Sequence, residues 1–543
     1  MTAAREGGRS PLAIPTFRNL WASNLLSNFG GQVQTVAAGW LMATLTHSPQ
    51  MVALVQAAVA LPVMLLILLG GALADSFDKR KLLLSAQLFM LGTASGLAAL
   101  AWAGWITPWL LLAFTFLLSG GGALNNPAWQ ASMRDIVPRE SISRAVGLNS
   151  TSINLARTLG PALGGAIVAT VGVAAAFMVN ALSYIALVIA VLRWRPAPRE
   201  PQLGGREPLG AAMLTGVRYA AMSPHLRPVV SRGAISGFSA SAAFALMPVV
   251  ASQQLGGGPM TLGWLLGGFG AGAVVGALTS GRMRERVATE YLVRAAMLLL
   301  ASGLLVLGLS TALIAACFGA ALAGGGWVLA HSSFNATVQL AAPRWVSARS
   351  LALYQTATFG AMVVGSWFFG MVAERSGVSW ALIAAGVMQL LGGLLGLRMR
   401  LPAAETLNLD PLDRWTPPQL DVEIDPASGP IFVELEYRVE PEDADAFRAA
   451  MRERERIRRR DGARGWALWR DLNDAMRWTE SYRVPSWAEY LRHNQRRTQE
   501  DRDNVEALLR LHVGPDGPLI RRHVGAASEG IRAREAGTPP ATP

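Results

Sequence analysis

Several groups of residues in this chain have types and spacings that suit chemistry or gating. The first is Gly71-Ala72-Leu73-Ala74-Asp75-Ser76-Phe77-Asp78-Lys79-Arg80-Lys81, set between two long apolar runs. An acid, a tight turn and a cation cluster in such a place can latch a loop against a helix start, where a carboxylate gains ~0.3–1 kcal/mol from the exposed N–H groups. The same cations also serve as plain anchors at a membrane surface. The second is Arg157, about midway along the apolar run 145–170. A cation at such a depth costs at least ~2.5 kcal/mol and must face a partner or a wet cavity. No Asp or Glu reads as lying deep in another run. Arg157, with Asn154 and Pro161 on its helical face, is therefore either a contact for an anionic or oxygen-rich substrate or an arginine satisfied by neighbouring carbonyls and amides.

Immediately downstream comes Gly160-Pro161-Ala162-Leu163-Gly164-Gly165. Pro161 frees a backbone carbonyl and kinks a helix, while Gly160 and Gly164 let a neighbouring helix approach closely. Polar residues also recur in the apolar runs: Asn24, Asn28, Gln32 and Thr35; Asn125, Asn126 and Gln130; His331 and Asn335; Tyr354, Gln355 and Thr358. Each alone reads as interhelical glue; together they describe a wet cavity. His331 and Asp75 are the available titrating groups. The single cysteine, Cys317, permits no intramolecular disulfide and suggests no metal site. No catalytic set, metal set or cofactor is expected, and the lack of a Gly-x-x-x-x-Gly-Lys-Ser/Thr loop argues against direct ATP drive.

The elements that position these residues are membrane helices. The chain is 52% hydrophobic and 15% charged, against ~25% charged in soluble domains. Spans are expected at 20–45, 50–74, 82–103, 108–128, 145–170, 173–193, 226–250, 260–281, 290–310, 312–332, 350–373 and 379–398, each long enough for ~30 Å of hydrocarbon. Residues 1–15 show no cleavable signal, so the first helix is expected to stay. Cations crowd alternate connections: Lys79, Arg80 and Lys81; Arg134, Arg139 and Arg144; Arg193, Arg195, Arg199, Arg206 and Arg218; Arg282, Arg284 and Arg286; Arg344 and Arg349. Arg375 alone breaks the rule. That alternation accounts for the +12 net charge better than nucleic acid does, and puts both termini in the cytoplasm.

The chain also repeats itself. Gly276-Ala277-Leu278-Thr279-Ser280-Gly281-Arg282 follows Gly71-Ala72-Leu73 by 276 − 71 = 205 positions, and Pro138/Pro343, Arg144/Arg349 and Gly160/Gly365 keep that offset. Six spans per half make the repeat parallel. Expected divisions are 1–19, a cytoplasmic segment; 20–194 and 225–400, two six-helix bundles; 195–224, a cytoplasmic linker; 401–430, a second linker; 431–525, a cytoplasmic α+β domain; and 526–543, a disordered tail. In the α+β part, Ile431 to Val439 reads as a strand and Pro441 to Arg460 as a helix. A hairpin turning at Asn473-Asp474 follows, then a helical region from Ser486 to about Leu511 and a last strand beginning at His512-Val513. This is a ferredoxin-like order.

The opening motif resembles the signature loop of the major facilitator superfamily, with Gly71, Asp75, Lys79 and Arg80 matching, Ser76 replacing a cation and Asp78 a glycine. The resemblance implies a twelve-helix transporter in which Asp75 latches the halves near the start of the eleventh helix. In the second copy Ser280 replaces the acid, so the latch should be one-sided. Gly160 to Gly165 is similar to the exporter signature of that superfamily. Its first, fourth, seventh and tenth helices line the cavity, so the resemblance places substrate contacts at Asn28, Gln32, Asn126 and His331; Asn154 and Arg157 on the fifth span and Tyr354 and Gln355 on the eleventh complete the expected substrate-binding set. The chain as a whole resembles the enterobactin-exporter-like, transmembrane secretion effector type. That implies proton-coupled efflux across the bacterial inner membrane of a small amphipathic or anionic compound, such as a siderophore, drug or secondary metabolite. An arginine usual in the fourth helix of proton-coupled exporters is missing from Phe114 to Gly122.

The C-terminal part resembles the dimeric α+β barrel domains of antibiotic-biosynthesis monooxygenases through Phe432-Val433-Glu434-Leu435-Glu436-Tyr437, Trp466/Trp469 and Trp487 to His493. It implies self-association or regulation. The alternatives are import, a membrane-anchored monooxygenase in which His493 serves a haem or aromatic substrate, and a ligand sensor.

Overall fold

Apolar runs as long as those above can satisfy their backbone in hydrocarbon only as helices, and the regular structure of the computed structural model is helical among the described residues before 400. It describes residues 10–76, 78–138, 141–195, 217–219, 221–343, 346–402, 418, 420–495, 498–514, 516–525 and 531–533, the side chains at 67–76, 131, 134, 143, 500 and 531–533 excepted. Twelve long helices follow in order: α1 Pro15–Leu45, α2 Pro49–Ser76, α3 Lys79–Trp102, α4 Pro108–Ile136, α5 Ile142–Thr170, α6 Val173–Arg193, α7 Leu226–Val249, α8 Pro259–Arg286, α9 Thr289–Leu309, α10 Leu313–Leu340, α11 Ser347–Ser376 and α12 Val378–Leu395. The expected spans are all present; α4, α8 and α10 run further than their apolar cores because helix continues into the polar layer. A π-helical turn, Val250–Gln254, follows α7 just past Pro248, where the lost N–H loosens the ladder.

Among the described residues ten of these helices are apolar and long enough to span a membrane by composition alone. The other two, α1 and α5, carry the polar stripes, and they answer one another. Asn24 Nδ2 donates to Asn149 Oδ1 at 3.3 Å and Asn28 Nδ2 to Ser152 Oγ at 3.3 Å. Trp129 Nε1 of α4 donates to the same Asn149 oxygen at 2.9 Å.

Helix ends follow their caps. Asp78 accepts from Lys81 N at 3.0 Å as the N-cap of α3, with φ −62°. Asp78, standing where the resembled signature has a glycine, is thus a cap in an extended conformation. Gly172 and Gly377, 205 positions apart, turn α5 into α6 and α11 into α12 with φ of +100° and +93°, a conformation glycine adopts freely.

The repeat is visible in the packing. Gly160 on α5 lies where an added Cβ would be 2.5 Å from Gln32 Cβ on α1, and Gly365 on α11 lies likewise 2.5 Å from Phe238 O on α7. Arg80 donates to Val191 O and Leu192 O at the end of α6, and Arg294 donates to Gly396 O beyond α12; the acceptors Val191 and Gly396 are again 205 apart. Two seams join the halves. Along α5 and α8, a Cβ on Gly165 would stand 2.8 Å from Pro259 O, and one on Gly270 would stand 2.3 Å from Arg157 O. Along α2 and α11, Gly370 faces Ala53 and Gln50, and Gly360 faces Met64.

Residues 207–227, 338–350 and 404–543 form a second compact unit. Its sheet comprises β2 Ile431–Arg438, β3 Arg464–Arg470, β4 Arg477–Val484 and β5 Leu519–Val524 in the antiparallel order β3-β4-β2-β5, which is ferredoxin-like. One face is covered by α13 Ala444–Arg460, α14 Trp487–Gln495 and α15 Arg502–Arg510, with Phe447, Met451, Ile457 and Trp487 buried beneath them. The single helical region expected from Ser486 to Leu511 is split, because Thr498 and Asp501 form a capping box that starts a new turn. The last strand is β5, not His512-Val513, whose backbone Val513 N instead donates to Arg438 O at 2.8 Å. A two-stranded ladder pairs β1 Val422–Ile424 with β6 Ile531–Ala533, joining the expected linker to the expected disordered tail.

The α5–α8 seam yields a prediction. Gly270→Ala must push backbone from backbone, at about 1–3 kcal/mol, whereas Gly31, with nothing within 4 Å, accepts alanine freely. In detergent, fluorescence-detected unfolding should fall by several degrees for Gly270→Ala and stay level for Gly31→Ala; equal midpoints would refute close packing at that seam.

Candidate functional site

The candidate site is built on α5, α7, α10 and α11. Arg157 sits at the sixteenth of the 29 residues of α5, about 22 Å along it at 1.5 Å per residue. Its side chain is accessible, and among the described residues no acidic group pairs with it. Arg157 stands at the level where α5 meets α8 of the second half. Its own backbone carbonyl is held by the close approach of Gly270, and Thr158 Oγ1 donates to Gly270 O at 3.5 Å.

Opposite Arg157 the second half presents a continuous aromatic chain. Phe269 meets Phe244 edge-on at 4.8 Å, Phe244 meets Trp327 at 5.7 Å, and Trp327 stacks on His331 at 5.2 Å with 13° between planes. His331 Nδ1 and the Tyr354 hydroxyl are 3.0 Å apart. Tyr354 itself is fully buried against Gly233, where no Cβ would fit. A buried phenol fixes the imidazole, which fixes the indole. The arrangement can hold a flat apolar body bearing negative charge.

The structure brings together Arg157, His331 and Tyr354 of the expected contacts, with Gln355 half-buried beside Tyr354. Asn154, half-buried one turn before Arg157, gives its carbonyl to Thr158 Oγ1 at 2.9 Å. Gln32 packs on Gly160. Asn28 is occupied by Ser152, and Asn126, exposed on α4, accepts from Gln130 Nε2 at 3.3 Å on its own helix. Trp327 and Phe244 were missed, because an aromatic in an apolar run gives no signal against hydrocarbon.

The expected gating residues divide. Asp75 and Gly71 lie outside the described side chains. Lys79 Nζ pairs with Asp135 at 2.8 Å and Arg80 caps the end of α6, so both tie the first bundle to itself. Ser280 in the second copy turns inward, with Oγ donating to Ala277 O at 2.8 Å. Gly160 and Gly164 pack α5 on α1, while Pro161 O and Gly165 meet Gly263 of α8.

The expectation that no acid pairs inside a span also needs correction. Arg232 on α7, fully buried, donates to Glu290 at 2.6 Å, and Arg294 reaches the same carboxylate at 2.5 Å. Leu401 N donates to it at 2.9 Å. Glu290 stands in the first turn of α9, too near the polar layer to look membrane-embedded from sequence, and the triad fixes the chain leaving α12.

In the C-terminal domain His493 is buried, not solvent-facing. Its Nδ1 donates to Asp461 O at 3.2 Å, which leaves Nε2 to accept from Arg458 Nη1 at 3.1 Å. With both nitrogens engaged it does not fit a haem ligand. Arg458 bridges on to Glu480 at 3.0 Å, where Trp466 Nε1 (3.1 Å) and the Tyr437 hydroxyl (3.4 Å) also donate. Burial alone would raise the Glu480 pKa, but the charges of Arg458 and Arg454 hold it at about 2.

Twelve helices in two parallel six-helix repeats, with a site between the halves, define a transporter of the major facilitator fold. Solved structures agree: a bacterial homologue of the lysosomal transporter Spinster, in an inward-facing and unoccupied conformation, superposes with a TM-score of 0.59 at 16% identity over 76% of this chain and all of that one. The chain belongs to the transmembrane secretion effector family, whose model matches residues 6–530. Relatives include the MFS-type transporter YfiS of Bacillus subtilis, 27% identical over 70% of this chain and 94% of that protein. The multidrug efflux pump Tap of Mycobacterium tuberculosis is 25% identical over 75% and 97%, and the enterobactin exporter EntS of Escherichia coli 27% over 69% and 91%.

The buried Glu480 predicts a pH dependence. Its folded-state pKa lies below the ordinary ~4.3 of a free glutamate, so its contribution is full above that value and is lost as pH falls towards 2. Glu480→Gln leaves two buried arginines without their counter-charge and should cost about 3–5 kcal/mol at neutral pH. Hydrogen exchange of peptides spanning β4 in the full chain should speed up sharply in the variant; unchanged protection would show that the pair contributes nothing.

Proposed function

We propose that this transporter exports small amphipathic anions, with an apolar ring system and a carboxylate, catecholate or similar charge, across the bacterial cytoplasmic membrane. It works by alternating access driven by a proton gradient, with both termini and the C-terminal domain in the cytoplasm. The observation that carries this reading is Arg157: an accessible cation at the middle of α5, unpaired among the described residues, at the level where α5 meets the second half, which carries the aromatic chain. A cation that deep needs an anion or water, and a substrate supplies the first while the rings take its apolar body. The names of Tap and EntS support efflux, and the cation-rich connections support the orientation.

A panel of catecholate and hydroxamate siderophores and cationic dyes, offered to inside-out vesicles with and without an imposed proton gradient, tests it. Accumulation of anions that depends on the gradient is the expected result. Arg157→Ala should reduce anion flux at least about tenfold, the loss of one charge-assisted contact, with Arg157→Lys retaining part of it. Flux of anions undiminished in Arg157→Ala would refute the substrate contact.

The C-terminal domain is proposed as a regulatory and self-associating module. Its open sheet face carries a groove of ≈ 900 Å³ lined by Phe432, Glu434, Arg464, Trp469, Ser481 and Arg483, and Trp469 is 62% exposed. Removing residues 401–543 should preserve flux and reduce the solubilised particle to a single chain. Complete loss of activity would favour an anchored enzyme instead.

A further inference from the structure

Several contacts between the two halves lie at the end of the bundle poor in cations. There α2 begins at Pro49 with Ser48 as the residue before it, and no acid occupies its first turn. Met51 N is satisfied by Ser48 Oγ at 3.3 Å, and Ser48 N by Thr46 Oγ1 at 2.9 Å. Gln50 N has its partner in the other half: it donates to Glu374 Oε2 on α11 at 3.2 Å. Ser48 Oγ donates to that same oxygen at 2.7 Å. The N-terminus of α2 is thus completed by a carboxylate belonging to the second bundle, in the position where a negative charge is most favourable.

Neighbouring contacts close the same end. A Cβ on Gly370, one turn before Glu374, would stand 2.7 Å from Ala53 Cβ, Gly39 lies against Pro248, and Gln253 Nε2 donates to His47 O at 3.3 Å. The equivalent of Glu374 in the other seam is Ala169, from 374 − 205 = 169. There α5 meets α8 through Gly165 and Gly263, with no acid.

We infer that Glu374 is the outer latch of the transport cycle: its carboxylate, bound to Ser48 and Gln50 N, holds the cation-poor end shut and must let go each time that end opens. The inference rests on the alternating-access reading above. It puts a carboxylate latch at the far end of α11 from the one expected of Asp75, using the same physics on the opposite side of the membrane.

The test is a distance measurement, independent of transport. Cys317→Ser removes the only native cysteine, and Trp105→Cys and Ile314→Cys place spin labels on exposed turns of the two halves at the cation-poor end. Double electron–electron resonance on the full chain in lipid nanodiscs should show mainly the short distance. Glu374→Ala should raise the ratio of long to short distances about fivefold, the factor for one exposed charge at a helix start. Glu374→Gln, which keeps an acceptor oxygen, should fall between, and Arg375→Ala should match the unsubstituted protein. Identical distributions for Glu374→Ala and the parent, or an equal shift in Arg375→Ala, would overturn the latch. A shift without transport of any compound would leave the latch standing and the export reading refuted; transport without a shift would do the reverse.

Discussion

A guanidinium halfway along a membrane helix is the constraint to which the rest of the bundle answers. Arg157 cannot reach either surface by snorkelling from that depth without leaving the interior, and no described carboxylate comes to meet it. The solution is structural on three sides. The polar face of α5 is matched by α1 through Asn149 and Ser152, so the helix carrying the charge is pinned by amide and hydroxyl pairs and not by oil. Its backbone at Arg157 is clamped by Gly270, which fixes where the side chain leaves the helix. The second half, which α5 meets at this level, carries a chain of rings from Phe269 to Tyr354. Each of these features would be wasteful in a bundle meant only to pack.

The two seams between the halves are built from different chemistry, although gene duplication began them alike. The α5–α8 seam is glycine against glycine and glycine against carbonyl, so backbones touch and little surface must be dehydrated or rehydrated when they slide. The α2–α11 seam adds a charged cap in water. A contact of the first kind suits a pivot, because its energy changes smoothly with small displacements; a contact of the second kind suits a catch, because a hydrogen bond is lost within about an ångström. A catch in one seam and a freer contact in the other then accompany one carboxylate on α11 and an alanine at the matching place on α5.

Much of this was legible in the sequence, and the reasons for the exceptions are physical. Twelve spans, the 205-residue repeat and Arg157 stand out because hydrocarbon tolerates so few alternatives. Glu374 and Glu290 did not, since each lies in a terminal turn where an acid reads as surface charge; only the partner in another helix gives it meaning. Trp327 and Phe244 were hidden among apolar residues of equal hydropathy. His493 is buried although its own short helix carries Glu489 and Arg492, because Arg458 of the facing helix, drawn inward by Glu480, meets it. The pairing of β1 with β6 joins segments more than 100 residues apart, both without a strand pattern of their own. Local propensity carries no record of such a partner.

The C-terminal unit bears on the transport cycle through the connector between the bundles. Arg460, at the end of α13, is held by Asp461 at 2.8 Å and by Asp501 at 2.8 Å. The same guanidinium lies over the ring of Tyr219 at 5.2 Å. Tyr219 is 3% exposed and belongs to the segment that links the sixth helix to the seventh. Neighbouring charges oppose the cost of burial and hold the Arg460 pKa above its ordinary value, so this grip does not loosen with ordinary changes of pH. When the halves move, the connector must move with them or be restrained. A folded domain that holds Tyr219 therefore holds part of the chain linking the two bundles.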